Sequence, residues 1–558
     1  MFPVIARSLM RPLLAIFLTT AAHAQFLPGV DPRVPAAKPV ESLPARVADT
    51  SGAGTGAILS PELKEIRLET HDGCESVEVM PGFRVAVDLL LPSPKTLGSK
   101  LSRWHGKPLK AGDLVAIADE ILAHYDVEGY PVVEIDAPQQ DLASGKLLLV
   151  VEIGRIGKVG VTRPKYGNPD AIAKGLKLRS GDLVRRQDLD EQMSWFGRSV
   201  FRHPQLLVSP GSEAATADLL IGLSEKKPWR ATAGYENSGP YLLGENRMIF
   251  GLAGMTKNEH ILAWQTVLGM PVSSLQANAL SWEIPFHRIH QALQLDAVYA
   301  KVLTETSSNG LPVENTGTSW SLAAIQKLSL PSLGKLRQRL TVGGEIKSSD
   351  QFVLFGGAPF SPGEVKLLNA RINYGISREW EDGAFVLDTT FLGAPGGLIA
   401  GNDDEDFQVY DPEASANYGI IRSAGEAWYG IGGDWRVALR GTGQLTNNRL
   451  LPVEQFAAGG YQTVRGVTER EYFADEGWQT SFEVYAPAIT IKDKLQMRFL
   501  IFHDQATLKN IGEDSTWISS AGVGVRVKMT DILDLRLDQG WQLDDQNSQF
   551  HIGLQISY

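Results

Sequence analysis

The 558-residue chain contains a single cysteine, Cys74, so it has no internal disulfide framework and no cluster of thiol ligands. No stretch reaches the roughly 18 consecutive apolar residues that a membrane-spanning helix needs. Positive charge is not in excess either. Acidic residues (64) outnumber basic ones (53), and the net charge of −11 gives no general attraction to nucleic acid. The Gly-x4-Gly-Lys-Ser/Thr phosphate loop and the Gly-x-Ser-x-Gly nucleophile turn are both absent, so no nucleotide site is expected. The closest histidine pair, His287 and His290, lacks a third ligand and reads as strand or loop residues. Asp403, Asp404 and Asp406 crowd one short stretch, which reads as a solvated loop rather than a calcium site. Neither an enzyme nor a bound cofactor is expected.

What is present begins with an export signal. Arg7 and Arg11 precede an apolar run over 13–22 and the small-residue site Ala22-His23-Ala24, so residues 1–24 read as a signal peptide. Residues 25–60 carry Pro28, Pro32, Pro35, Pro39 and Pro44, a composition that cannot bury a core and reads as a linker. Two mixed modules of β-α-α-β-β order follow, over 61–155 and 156–227. In the first, strands are predicted at 63–68, 83–89, 130–135 and 146–153, with a helix over 113–125 that Gly129 ends. In the second, strands are predicted at 156–161, 205–208 and 217–223, with helices over 169–178 and 186–199. Such small sheets leave strand edges on which an extended peptide can dock.

From Trp229 onward helical periodicity gives way to a period of two. Leu336, Leu340, Val342 and Ile346 alternate with Lys335, Arg337, Arg339, Glu345 and Lys347. Val523, Val525 and Val527 alternate with Gly522, Gly524, Arg526 and Lys528, and Leu533, Leu535 and Leu537 with Asp534, Arg536 and Asp538. The last strand alternates from Phe550 to the terminal Tyr558. Alternation alone suits a soluble barrel and a membrane barrel equally. The export signal and the aromatic-ended final strand favour an outer-membrane barrel with charged residues lining a wet lumen. Residues 228–558 hold about 16 strands at roughly 20 residues each. The expected fold is therefore mixed, a C-terminal transmembrane antiparallel β-barrel preceded by two periplasmic β-α-α-β-β modules.

One segment interrupts the alternation: Glu454-Gln-Phe-Ala-Ala-Gly-Gly-Tyr-Gln-Thr-Val-Arg-Gly-Val-Thr-Glu-Arg-Glu-Tyr-Phe-Ala-Asp-Glu-Gly-Trp478. Here the chain resembles the two-partner secretion transporters, the hemolysin activation and secretion family. The resemblance extends to Pro138-Gln-Gln-Asp-Leu142 with Gly145–Ile156, similar to the end of that family's first POTRA domain. It also covers Lys227-Pro-Trp-Arg and Tyr235-Glu-Asn-Ser-Gly239, similar to the entry into its barrel. The resemblance implies that the loop near 454–478 folds into the barrel, with Val464-Arg465-Gly466 at its tip. It further implies that Arg465 meets an acid of the wall, Asp504 of Phe502-His503-Asp504, with Glu483 as a second partner. Lumen-facing parity agrees for both acids. Val467 departs from the family's usual aromatic, Gln505-Ala506 from its usual glycine, residues 71–88 resemble an insertion, and no plug helix is evident in 25–60.

The function so implied is export of a large β-helical, adhesin- or hemolysin-like exoprotein from periplasm to cell surface. The expected partners are that exoprotein, unfolded and recognised at its N-terminal secretion domain by the POTRA pair, and outer-membrane lipid. The barrel-assembly machinery is a further expected partner, engaged through the strand ending at Tyr558; no nucleotide or nucleic acid is expected. The alternative reading is a barrel-assembly insertase of the same superfamily, which two modules rather than a longer array disfavours. A soluble periplasmic binding protein is the reading from a different class, and solubility without detergent would mark it.

Overall fold

The computed structural model describes residues 46–47 and 57–558 apart from positions 74, 309–310, 356–357, 493, 531 and 546, with no side chain described at 46, 47, 242, 306–313 or 351–362. The expected signal peptide, nearly all of the linker and Cys74 lie outside the described residues.

The first module is a six-stranded sheet in the order 46–47, Val133–Asp136, Lys146–Ile153, Glu65–Glu69, Phe83–Ala86, Ser76–Met80. The helix α1 (Pro94–Leu101) and the helix α2 (Ala111–Val127) accompany it. Leu68, Ile117, Ile121 and Tyr125 are buried in the core, where each aliphatic side chain contributes about 1.5–3 kcal/mol. The α2 helix starts two residues earlier than expected, because the Asp113 carboxylate accepts the Lys110 backbone N–H at 2.8 Å and caps the first turn. Gly129, at φ +91°, ends it. The β-α-α-β-β order calls for two helices in this module, and α1 is the one to which the residue pattern assigns no range. The stretch 71–88 that resembles an insertion contains a hairpin, Ser76–Met80 against Phe83–Ala86, which widens the sheet. Gly98 of α1 packs there. A Cβ at that position would stand 2.4 Å from Met80 Sδ and 2.7 Å from the Phe83 ring.

The second module is a three-stranded sheet, Arg202–Pro210, Thr216–Glu225, Arg155–Val161, covered by α3 (Pro169–Gly175) and α4 (Arg186–Phe196). Leu189, Phe196 and Ile221 fill its core.

Then the chain closes a barrel. Its strands are β1 (Trp229–Glu236), β2 (Arg247–Met255), β3 (Ile261–Gly269), β4 (Leu275–Phe286), β5 (Gln291–Ser308), β6 (Leu311–Ser329), β7 (Arg337–Phe355) and β8 (Ala358–Trp380). They continue with β9 (Gly383–Ala394), β10 (Tyr418–Gly432), β11 (Trp435–Thr446), β12 (Glu476–Tyr485, resumed at Ile489–Ile491), β13 (Leu495–Lys509), β14 (Thr516–Met529), β15 (Leu533–Gln542) and β16 (Ser548–Ser557). Each pairs antiparallel with the next, and β16 returns to β1, with Thr232 opposite Ser557 and Glu236 opposite Gly553. Closure leaves no unpaired edge inside lipid.

The direction of the alternation settles what the pattern alone left open. Phe482 and Ile501 are 47% and 59% exposed on the outside, whereas Glu483 and Asp504 are buried on the inside. Ile372 faces outward as well. An apolar exterior around a charged lumen is the arrangement of a barrel in a membrane.

Candidate functional site: a loop tip clamped inside the barrel

Residues 447–475 join β11 to β12 and enter the lumen as a short ribbon, Phe456–Ala458 pairing with Tyr472–Ala474. The ribbon turns sharply beyond Gly459. The Gly460 N–H donates to Val464 O at 3.0 Å and the Val467 N–H to the same carbonyl at 3.3 Å, which closes the tip. Val464 and Val467 are buried in an apolar cluster with Phe456, Ala506, Leu508 and Ile518. This packing accounts for both departures of the motif: Val467 and Ala506 are small enough to share one patch of the wall.

Arg465 is 1% exposed. Its Nε and one terminal nitrogen reach the two Asp504 oxygens at 2.7 and 2.8 Å, a bidentate pair, and its backbone N–H donates to Asp504 Oδ2 at 3.1 Å. The other terminal nitrogen lies 2.7 Å from Glu483 and 3.4 Å from Asp538. Ser481 accepts a further hydrogen bond at 3.0 Å, and the guanidinium stacks 3.4 Å from the centre of the Phe502 ring. The structure thus brings together Arg465, Asp504 and Glu483, with Val464 and Gly466 on either side of the arginine.

Sequence reasoning missed Asp538. It had the right parity on β15, but parity says nothing about height along the barrel. Arg526 and Arg536 pair with Asp538 at 2.9 and 2.6 Å, and Arg440 pairs with Glu483 at 2.7 Å. Three carboxylates therefore meet four guanidinium groups in a space that the tip shields from solvent. Each carboxylate has a guanidinium partner, with the surplus positive charge among the partly exposed Arg440, Arg526 and Arg536, and loss of one partner of such a buried pair costs about 3–5 kcal/mol.

Two glycines let the tip seat against β15. Gly466 adopts φ +98°, and Gly540 lies directly beneath it. A Cβ on Gly540 would come 2.6 Å from both the Arg465 carbonyl carbon and the Gly466 nitrogen. Gly540→Ala is expected to lift the tip at a cost of about 1–3 kcal/mol. Protease cleavage within residues 459–470 of folded protein should rise accordingly, and an unchanged digestion pattern would contradict the close seating.

At the opposite end of the barrel, the second module docks on the turns. Glu259, in the turn between β2 and β3, is fully buried and held at φ +65°. It accepts from Arg202 at 2.5 Å and from Arg198 at 2.8 Å, while Arg202 also pairs with Glu225. Burial pushes the Glu259 carboxyl up, but the two guanidinium groups outweigh it and hold it below its ordinary value of 4.5. His290 stacks on Trp195 at 5.0 Å and bonds to Glu191 at 2.8 Å and to the Gly175 carbonyl at 2.7 Å. The hydrogen bond with His290 is the main reason that the Glu191 carboxyl falls to about 2. His287 meets the same Trp195 ring edge-on at 5.7 Å, so both histidines are docking residues, and among the described residues no cluster of three or more potential ligands is placed to hold a metal. Asp403 and Asp406 cap the short helix Asp404–Gln408.

A closed barrel of sixteen strands with an apolar exterior, carrying POTRA modules and a clamped inward loop, defines the POTRA-barrel class of outer-membrane proteins. Residues 216–529 match the family model of the haemolysin secretion/activation protein ShlB/FhaC/HecB, and residues 90–154 match the ShlB-type POTRA domain. The chain belongs to the ShlB/FhaC/HecB family of two-partner secretion transporters. It resembles the heme/hemopexin transporter protein HuxB of Haemophilus influenzae (strain 86-028NP), with 24% identity over 409 residues, 70% of this chain and 69% of that protein. Its fold is similar to that of CdiB from Escherichia coli (TM-score 0.73, 15% identity, 99% of this chain and 98% of the other). It is also similar to that of CdiB from Acinetobacter baumannii (TM-score 0.65, 15% identity, 94% and 95%). The protein is an outer-membrane transporter with its POTRA region in the periplasm, and its family carries a secreted partner exoprotein across the membrane.

Proposed function

We propose that this transporter exports one large β-helical exoprotein, adhesin- or hemolysin-like, and that the clamped tip is the part of the lumen that yields to it. One observation carries this reading: Arg465 is held by side chains of the wall and not by continuous backbone pairing. Such a clamp keeps one geometry while closed and can be released without unfolding the barrel. The unfolded N-terminal secretion domain of the partner would add as a strand at an open sheet edge of the POTRA pair. Arg202–Pro210 is one such edge, with Leu207 exposed on it. The chain would then pass along the lumen and fold outside, with folding rather than nucleotide hydrolysis favouring outward movement. Outer-membrane lipid surrounds the barrel in this reading, and the strand ending at Tyr558 is the element that the barrel-assembly machinery engages.

Deleting residues 63–155 tests the recognition step. The shortened protein is expected to insert as a heat-modifiable barrel but to lose co-purification with its partner exoprotein. Retained co-purification would refute recognition by the first module.

A further inference from the structure

The tip of the long loop is fixed to β12, β13 and β15, while its root is fixed elsewhere. Glu454 is fully buried where the chain turns inward from β11. Its carboxylate accepts from Lys347 of β7 at 2.7 Å, from Arg422 of β10 at 2.7 Å and from Asn369 of β8 at 3.1 Å. Its backbone carbonyl accepts from Arg422 at 2.8 Å and from Gln444 of β11 at 2.7 Å. At the other end of the root, buried Asp475 accepts from the Leu450 N–H and the Ile511 N–H, both at 3.0 Å. None of these residues takes part in the Arg465 cluster, so the loop is secured at two independent places on different parts of the wall.

The root packs against the connection between β9 and β10 at the same end of the barrel, the segment assigned below as a lid. Leu450, Leu451 and Val453 enter one apolar cluster with Phe407 and Tyr410, from the 395–417 connection between β9 and β10. Val365 and Leu367 complete that cluster from the inner face of β8. Between root and tip stand Gly459 and Gly460, adjacent and both left-handed at φ +108° and +101°. Paired glycines without Cβ atoms form the joint where the backbone can change direction most freely.

We propose that Glu454 is a positioning residue that fixes the root of the loop and, with it, the lid over the extracellular mouth. Release of Arg465 then swings only the segment beyond Gly459-Gly460, while root and lid stay in place. Without the Glu454 carboxylate, Lys347 keeps Glu345 and Arg422 keeps Gln444 on the wall, no side chain of the root answers either cation, and the root loosens. The inference deepens the export reading, but its test needs no partner, so the two can fail separately.

Spin-label distances in the full chain carry the test, in a Cys74→Ser background. The exposed positions Gln462 (tip) and Glu405 (lid) are each changed to Cys and paired with Glu305→Cys on β5. Arg465→Ala is expected to broaden the tip distance roughly two-fold and to leave the lid distance unchanged. Glu454→Ala and the shape-preserving Glu454→Gln are expected to broaden the lid distance and to leave the tip distance unchanged. Lys347→Met, which removes the pairing from the wall side, should repeat the Glu454 result, and heat-modifiable migration confirms a folded barrel in each case. An unchanged lid distance in both Glu454→Gln and Lys347→Met would overturn the proposal, as would simultaneous broadening of both distances in Arg465→Ala.

Discussion

Arg465→Ala should leave the barrel assembled and reduce export of the partner to the background of a strain lacking the transporter. The expectation follows from what the guanidinium does. It satisfies Asp504 in bidentate fashion, reaches Glu483 and Asp538, and covers the Phe502 ring. Alanine takes the bidentate partner from buried Asp504, while Glu483 keeps Arg440 and Asp538 keeps Arg526 and Arg536; the loss is about 3–5 kcal/mol, and the tip, not the barrel, experiences it. The barrel is held by backbone pairing from β1 to β16, which the substitution does not touch. Lysine at the same place would keep the charge but lose the fork, and it should recover only part of the activity. Heat-modifiable migration and secreted partner are the two readings. Full export by Arg465→Ala would remove the functional role of the clamp.

Glu259→Ala is expected to release the second POTRA unit from the barrel. Arg202 is 1% exposed, and without the Glu259 carboxylate it keeps Glu225, while Arg198 keeps the backbone carbonyl of residue 259 and the more distant Glu283. The expected cost is again about 3–5 kcal/mol, and alanine, which also carries a Cβ, keeps the left-handed strain at position 259. Limited proteolysis should then cut between the second module and β1, around residues 226–229, in otherwise folded protein. Because the Glu259 carboxyl is depressed below 4.5, its contribution is complete above that value and is lost as pH falls through the depressed value. Wild-type protein should therefore resist the cut from neutral pH down to about 5 and lose resistance only in stronger acid. Equal protection of Glu259→Ala and wild type would show that the junction is held by other contacts.

The barrel was legible in the sequence because a period of two is a local property. Parity alone put Leu336 and Val525 on one face and Asp504 and Glu483 on the other, and the aromatic-ended last strand pointed to closure. What parity cannot supply is height. Asp538 lies two strands along from Asp504, and only the closed barrel shows that both reach Arg465. The α1 helix went unseen for a different reason. Its eight residues include Thr96, Gly98 and Ser99, and only Leu97 and Leu101 mark an apolar face. Glu259 carries no local signal, since the arginines that bury it are some sixty positions earlier in the chain. Glu454 stood inside the recognised motif, yet its partners on β7, β8 and β10 are distant in sequence and carry no local pattern.

The most direct test is translocation into proteoliposomes with the POTRA units facing outward. Unfolded partner exoprotein added outside, without nucleotide, should become resistant to external protease when the transporter is wild type and stay sensitive when Arg465 is alanine. Partner that remains fully digestible in the presence of correctly inserted wild-type protein would contradict a conducting lumen and the account built on it.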